Sequence, residues 1–397
     1  MRGIFALFPP PLFYSLIFLL LGTRPNSDVI AVMLFLTKKK DITPPDTSSE
    51  VHFGLIKKSI NELSDEEVLE IADYIKLKQS MNDGLLTLRC LSKGTIDDLL
   101  KKNVIMNSLF YDVTWLLEIG QCLRPITDYF KVFRGIKTGQ DEIYYLKNPS
   151  AVDSPYIERI LLNARNVNSL LADPDTDAFS CDKTLEELAA LGHTKTIDYI
   201  RNYQGSIHQS VPNKDTFWMN MRNGSFAGSY EIRLFTAMNP EKRFFYGLLN
   251  KSCKVNQRII GLKPIDSSVD VSLCHALLNS IMGAFYTEAA GFPRGQGVLD
   301  TSKERIEKVL ILDPDRLTKK QVAEIMDAFR PLLHRNILPF SEELEMEDRI
   351  HFEHVVLSCY GIDSYYNRIK NALLEMQQVR LSVKEGRHPN GLNHSGA

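Results

Sequence analysis

The sequence predicts a protein of mixed α/β class, α+β in its main section, and three observations indicate that class. Short β-prone runs lie among segments with apolar residues at helical spacing, and the two kinds do not alternate strictly. The 397 residues suffice for two or three domains with their own cores. Hydrophobic residues make up 44% and charged residues 24%, which is typical of a soluble globular protein.

The N-terminal section, residues 1–40, contains two apolar runs. PLFYSLIFLLLG (Pro11 to Gly22) and VIAVMLFLTKKK flank a Pro-Asn-Ser-Asp turn, which predicts an antiparallel strand pair. The first run is shorter than the roughly 20 residues of a membrane span. Arg2 precedes it as in a signal segment, but no small-x-small cleavage site follows. We therefore expect no membrane association, with a membrane-tethered structural protein as the alternative.

A helical connector is predicted for residues 41–122. It begins with the polar, Pro-rich linker DITPPDTSSE. Ser64 and Glu67 then form a capping box before apolar positions at helical spacing. Further helices are expected at TIDDLLKK and DVTWLLEIGQCL.

Residues 123–316 form the mixed α/β section. Strands are expected at FKVFRG, EIYYL, EIRLFTAM and RIIGLKPI, and helices at YIERILL, TLEELAAL and SLCHALLNSIMGAFYTEAAG. Residues 317–384 read as helices, and residues 385–397 as a disordered tail.

Cysteine spacing and charge limit the possible functions. Six scattered cysteines without CxxC spacing predict reduced thiols in a cytoplasmic protein. The net charge of -2 gives no global positive field, so a nucleic-acid partner would require a local basic surface.

Most motifs of catalysis and cofactor binding are missing. The sequence has no GxxxxGK[ST], GxSxG or HExxH. Gly295-Gln296-Gly297 follows a helix, which favours a tight turn or contact loop over a phosphate loop. His351 and His354 share a helix face, but no third metal ligand is apparent, so we expect a solvated face and no metal.

The stretch FKVFRGIKTGQDEIYYL contains the most informative loop. Lys137 and Thr138 lie between Gly135 and Gly139. Successive backbone N–H groups in such a turn can form an anion-binding nest, to which Lys137 and Thr138 would add a charge and a hydroxyl. A plain hairpin turn with a polar tip is the alternative.

This stretch resembles the opening of the target-recognition domain in N6-adenine-specific DNA methyltransferases of restriction-modification systems. Those proteins carry a GxxTG loop, here Gly135, Thr138 and Gly139, followed by a short aromatic or aliphatic run. The resemblance continues in order from Phe13 to Ser382. Its further parts are SPYIERILLNARNV with Arg165, the Leu278-Asn279-Ser280 helix with Phe285 and Tyr286, GQGVLDTSKERIEKVLILDP, and the tail YGIDSYYNRIKNALLEMQQVRLS.

The resemblance implies the back portion of such an enzyme. Residues 1–40 would be a remnant strand pair of its Rossmann-like catalytic sheet, and residues 123–316 the recognition domain. The family's catalytic tetrad has no copy here, because DSPY (Asp153 to Tyr156) has one proline and FPPPLF lacks the preceding polar residue. We thus expect no catalytic or cofactor-binding residue, S-adenosylmethionine only in the complete enzyme, double-stranded DNA as partner, and possibly a separate catalytic chain.

Candidate DNA contacts follow from side-chain chemistry. Lys137, Arg134 and Thr138 would hold phosphates, and forked arginines suit guanine edges or phosphates. Trp218 stacks on a base or, as we favour, fills the core, and Asn279 is expected to cap or pack. The candidates are Arg134, Gly135, Lys137, Thr138, Gly139, Arg165, Arg201, Trp218, Arg222, Arg294 and Gln296.

Overall fold

The structure of the protein is a computed structural model. It describes residues 16–21, 31–35, 50–57, 63–77, 79–104, 106–294 and 297–385. The predicted mixed α/β class is confirmed: helices and several sheets alternate irregularly along these residues.

The N-terminal sheet has five strands in the order β2-β1-β3-β5-β4. Their bounds are β1 Leu16–Leu21, β2 Ala31–Phe35, β3 Glu50–Ile56, β4 Met81–Asn82 and β5 Leu86–Ser92. The predicted antiparallel pairing of β1 with β2 is confirmed. The pair belongs to a larger sheet, however, because β1 also pairs in parallel with β3. A lone hairpin is marginally stable, and three strands from residues 50–92 extend this one across the predicted boundary near residue 40.

The connector is thus partly β-structure. Helix α1, Asp65–Leu77, begins with the predicted capping box, in which Ser64 N–H donates to Glu67 and Glu67 N–H to the Ser64 hydroxyl. Its apolar residues pack on β5 in a small core of their own. Helix α2, Lys93–Leu100, and the short α3, Leu116–Ile119, follow.

The central sheet has the order β7-β13-β11-β12-β9, with β7 at one edge. Its strands are β7 Phe130–Arg134, β9 Leu171–Ala172, β11 Ile232–Ala237, β12 Tyr246–Cys253 and β13 Ile259–Pro264. All neighbours are antiparallel except β9 and β12. On one face, the rings of Phe133 and Phe235 lie over Gly261 and Gly247, where a Cβ atom would collide with them.

Residues 136–226 contain a second core beside this sheet. Their elements are α4 Asp141–Tyr144, β8 Ile157–Ile160, β10 Thr176–Phe179, α5 Leu185–Ala190 and α6 Thr194–Tyr203. Two predictions are wrong here. EIYYL contains helix α4 where a strand was expected, and YIERILL contains β8, paired with β10, where a helix was expected. Short apolar runs fit either period, and tertiary pairing decides between them.

Helices cover the central sheet and complete the main core. The predicted long helix at residues 272–291 divides into α7, Val271–Leu278, and α8, Ile281–Ala290, and every residue of α8 is buried. The helical C-terminal section is confirmed by α10 Lys319–Phe329, α11 Phe340–Glu343, α12 Glu347–Cys359 and α13 Tyr366–Glu385. Smaller elements are β6 Leu123–Pro125, β14 Phe292–Pro293, β15 Leu299–Asp300, α9 Lys303–Ile306 and β16 Leu310–Leu312. The predicted disordered tail lies, from residue 386 on, outside the described residues.

All six cysteines lie in the described residues and are unpaired, as predicted. Within those residues, no helix combines the length and apolar character that crossing a membrane requires.

Candidate nucleic-acid interface

The Gly135–Gly139 loop is not a projecting hairpin tip. Gly135 N–H donates to the Ile259 carbonyl at 3.0 Å and Ile136 N–H to the Val255 carbonyl at 2.8 Å. These two N–H groups are therefore unavailable to an anion and cannot contribute to an anion-binding nest. The chain continues from β7 into this loop beside the start of β13 and does not turn back on itself as a hairpin would.

Both glycines of the loop have packing roles. A Cβ atom on Gly135 would lie 2.3 Å from the Asn256 carbonyl oxygen, so only glycine permits this approach. Gly139 has φ +82°, in the left-handed region, and a Cβ there would lie 2.7 Å from the Ser210 carbonyl oxygen. Neither glycine is needed to bring backbone close to a ligand.

Of the loop's two polar side chains, only Lys137 faces solvent. Thr138 is 0% exposed; its hydroxyl donates to the Asp141 carboxylate and accepts from Gln140 N–H at 3.3 Å. This corrects the expectation that Thr138 contacts a phosphate. Arg134 is exposed, and its Nε donates to the Gln257 carbonyl at 2.7 Å, so the guanidinium is held at the end of β7.

Trp218 is a core residue. It is 5% exposed, its Nε1 donates to the Lys183 carbonyl at 2.9 Å, and its ring packs edge-on against Phe217. The favoured core interpretation is confirmed, and stacking on a base is corrected. Arg201 and Arg222 are exposed, but they belong to the unit of residues 136–226.

The turn between β11 and β12, residues 238–245, carries a basic cleft that the sequence did not reveal. Arg165 Nη2 lies 3.1 Å from Glu241 Oε1, and Arg243 Nη2 donates to the Arg165 carbonyl at 2.8 Å. The Arg243 guanidinium lies 5.8 Å from the centre of the Phe245 ring. The cleft, of about 390 Å³, is lined by Ala164, Arg165, Ala237, Asn239, Pro240, Glu241, Lys242, Arg243 and Phe245.

Arg294 lies beside the same turn. Its guanidinium pairs with Asp300. The residue before Asp300, Leu299, donates from its N–H to the Pro240 carbonyl of the turn at 3.4 Å. Arg134 lies near the same turn. Its Nε donates to the Gln257 carbonyl, and the carbonyl of the next residue, Arg258, accepts from Met238 N–H at 2.9 Å. The structure thus brings Arg134, Arg165 and Arg294 to one end of the central sheet, here called the basic end. Gln296 lies outside the described residues.

A buried arginine of the C-terminal helix supports the basic end. Arg380 donates from Nε and Nη2 to the two oxygens of Glu288, at 2.7 and 2.9 Å. Its remaining donors reach the Gly297 carbonyl at 2.6 Å and the Glu241 carbonyl at 3.3 Å. Nothing in the sequence pattern distinguishes Arg380 from the other cations of that helix.

The far end of the turn is held by α7 and the residue after it. Asn279 accepts from Tyr246 N–H at 3.0 Å and donates to the Tyr246 carbonyl at 2.8 Å, which confirms its predicted packing role. His275 Nε2 lies 2.9 Å from the same carbonyl. Burial lowers the pKa of His275 from 6.5 to about 4, so the ring is neutral and donates to Tyr246.

Two weaker motifs have structural partners. Asp153 of DSPY accepts from the backbone N–H of Thr196 at 3.0 Å and from its hydroxyl at 2.9 Å. His354 pairs with Asp363 at 2.7 Å. Both side chains therefore stabilise local structure.

The same mixed α/β arrangement occurs in a solved protein of the restriction endonuclease class. This is the type IIG restriction endonuclease BpuSI, whose crystal structure matches 96% of this chain and 45% of its own at a TM-score of 0.53 and 9% identity. The type IIL restriction-modification enzyme MmeI, solved in complex with DNA, matches 85% of this chain and 50% of its own, with a TM-score of 0.39 and 13% identity.

The likeness to BpuSI is one of fold, and the second likeness is too low to carry an argument. This chain spans about half the length of either protein. No family model matches the sequence, and no curated protein does.

Proposed function

We propose that this chain is the DNA-recognition portion of a restriction-modification protein and that the basic end of its central sheet contacts the duplex. The carrying observation is the gathering of Arg134, Arg165 and Arg294, with the unpredicted Arg243, in a chain of net charge -2. The fold shared with BpuSI supports the restriction-modification assignment.

The cations that line the cleft suit a polyanion whose base edges carry hydrogen-bond acceptors. Duplex DNA carries one negative charge per about 1.7 Å of its axis, and arginines and lysines that neutralise phosphates supply most non-specific affinity. Arg243 is fixed by the Arg165 carbonyl and lies against Phe245, so part of its donor fork is preoriented. A preoriented fork matches the O6 and N7 acceptors of guanine.

We further propose that the complete enzyme methylates adenine at N6. The amino group of adenine is inaccessible in the base stack, so the base must be extruded for reaction. In this proposal the present chain holds and reads the duplex in the cytoplasm, whereas S-adenosylmethionine and the reacting base bind outside it. The GxxTG resemblance and the missing tetrad support this division.

Duplex binding tests the proposal. We expect affinity for DNA to fall steeply with salt, and Lys137→Ala to lower it for all sequences and to reduce the log–log salt slope by about 1. Arg243→Ala should instead cost about 1–3 kcal/mol and relax preference at one base position. Lys320→Ala, at an exposed lysine of α10, is the control and should leave affinity unchanged. Binding that is absent, or insensitive to salt, would refute the proposal.

A second candidate is a subunit completed by a separate catalytic chain. The observation that favours it is the match to only 45% of BpuSI, which leaves more than half of that chain without a counterpart here. Mixing the chain with a catalytic methyltransferase fragment and assaying methyl transfer distinguishes the two. No transfer in any combination would eliminate this candidate and leave the recognition module.

A further inference from the structure

Two unpaired lysines face each other on the edge of the central sheet. Lys131 on β7 and Lys263 on β13 are direct cross-strand partners, and both side chains are exposed. Among the described residues, no carboxylate oxygen lies within 4.0 Å of either ammonium nitrogen. Like charges in directly opposite positions destabilise a sheet, so the pair has an electrostatic cost that no described carboxylate offsets.

An aromatic side chain completes the cluster. The Tyr230 ring lies 5.3 Å from Lys131 Nζ and 5.5 Å from Lys263 Nζ, measured from its centre, and it is 39% exposed. An edge-on contact with Phe133, at 4.8 Å between centres, fixes the ring. The Tyr230 hydroxyl has no hydrogen-bond partner in the described part of the chain. Two ammonium groups and one phenolic donor thus converge at the surface.

The loop that carries Tyr230 is fixed against β7. Gly228 has φ +82°, and a Cβ there would lie 2.1 Å from the Arg134 carbonyl oxygen, so the loop backbone touches the end of β7. This contact holds Tyr230 in place beside the strand. The cluster is therefore built from packed backbone and is not a chance meeting of mobile side chains.

The cluster begins a row of cations along the edge strand. From Phe130 to Thr138, the exposed side chains are Lys131, Arg134 and Lys137, and the intervening residues are buried. Successive side chains of a strand point to opposite faces, so Lys131 lies on the face of β7 that carries Phe133 and Tyr230, and Arg134 lies on the other. The edge therefore presents cations on both faces, which suits a polyanion that passes along it.

We propose that Lys131, Lys263 and the Tyr230 hydroxyl bind a backbone phosphate of nucleic acid. The inference rests on the proposed DNA-binding function and extends it to a second contact, some distance along β7 from the basic end. The two ammonium groups neutralise the phosphodiester charge, and the phenol donates to one of its oxygens. Tyr230 orients the lysines through its ring, which attracts both cations.

The test combines a double substitution with a charge-matched control. Lys131→Gln/Lys263→Gln removes two charges at the site, and Lys319→Gln/Lys320→Gln removes two from exposed positions on α10. Binding of each full-length variant to a fluorescent duplex, and to one of its single strands, is measured against salt. We expect the site variant to lose roughly tenfold or more in affinity and its salt slope to fall by about 2, while the control matches the wild type. Tyr230→Phe should cause a smaller loss.

Stability provides an independent readout. Because the lysines repel each other, the site variant should melt at the same or a higher temperature than the wild type. Loss of affinity without loss of stability excludes misfolding as its cause. Inorganic phosphate at matched ionic strength should compete no better than chloride, because a single phosphate contacts only one part of the row.

The outcomes separate the two proposals. If the wild type binds duplex and the site variant binds equally well, the phosphate site is wrong and the proposed function stands. A loss confined to the single strand assigns the site to that form of nucleic acid. If the wild type binds neither form, both proposals fail.

Discussion

Two loops near the central sheet differ in how they are held and in what they expose. The Gly135–Gly139 loop is held by its own backbone. Its N–H groups donate to β13 and to the segment just before that strand, and its two glycines pack closely against other backbone carbonyl groups. The residue 238–245 turn is held from outside, by Arg380, His275 and Asn279. The first loop exposes one lysine, and the second borders an open cleft with two arginines.

The comparison shows that a glycine in a loop can have either of two roles, and that the sequence does not distinguish them. A glycine permits close approach of backbone, and the neighbour that approaches is either a ligand or the protein itself. In the Gly135–Gly139 loop it is the protein. The turn that exposes cations contains no glycine, and its geometry depends on side chains 29 or more positions away in sequence.

The largest effect is expected at Arg380, which supports the open turn. Arg380→Met should lower the free energy of unfolding by about 3–5 kcal/mol, because it leaves Glu288 as a buried unpaired carboxylate. Urea denaturation measures the loss. Arg380→Met/Glu288→Met should recover most of it, since replacing both partners leaves no buried charge. A double variant as unstable as the single one would contradict the pairing.

The pH dependence of His275 is the next largest effect. Because its pKa is lowered in the folded protein, from 6.5 to about 4, the unfolded chain binds the proton first as the pH falls. The contribution of His275 to stability is thus fully present above about pH 6.5 and is lost toward pH 4, on the order of 3 kcal/mol in total. His275→Gln should show a shallower fall of unfolding free energy across that window. Parallel curves for the two proteins would rule out the buried neutral imidazole.

Gly135→Ala tests the closed loop. A Cβ atom 2.3 Å from the Asn256 carbonyl oxygen forces a backbone shift, so we expect a loss of about 1–3 kcal/mol in unfolding free energy. Gly205→Ala is the control, because a Cβ at Gly205 meets nothing within 4 Å. It should change stability by no more than about 1 kcal/mol, in the stabilising direction. Equal effects of the two substitutions would show that Gly135 is not packed as described.

The smallest effect separates the two polar side chains of that loop. Thr138→Val removes the hydroxyl that links Asp141 and Gln140 and should cost about 1 kcal/mol of stability without changing DNA affinity. Lys137→Ala should do the reverse, with stability within about 0.5 kcal/mol of the wild type and weaker DNA binding. A fall in DNA affinity for Thr138→Val would return that residue to the interface.

Local patterns predicted much of the fold. The capping box at Ser64, the antiparallel N-terminal pair and the C-terminal helices are read correctly, because each depends on residues close in sequence. Predictions failed where distant pairing decides the structure. Strand β8 forms because β10 lies beside it, and β1 is extended by β3. Side-chain chemistry nominated Arg134, Lys137, Arg165 and Arg294, which the structure leaves exposed. It did not nominate Arg243, Lys131 or Tyr230, whose surroundings depend on tertiary contacts.

The sequence by itself determined the mixed class, the cysteine state and the residues that carry positive charge, since these depend on composition and local periodicity. Tertiary structure decided which of the polar residues are available. Thr138 and Trp218 are buried by partners that the chain brings from elsewhere, and Arg134, Arg165 and Arg294 meet at one sheet end although they are far apart in sequence. The physical reason is that burial and convergence depend on contacts between distant segments, which local periodicity does not encode.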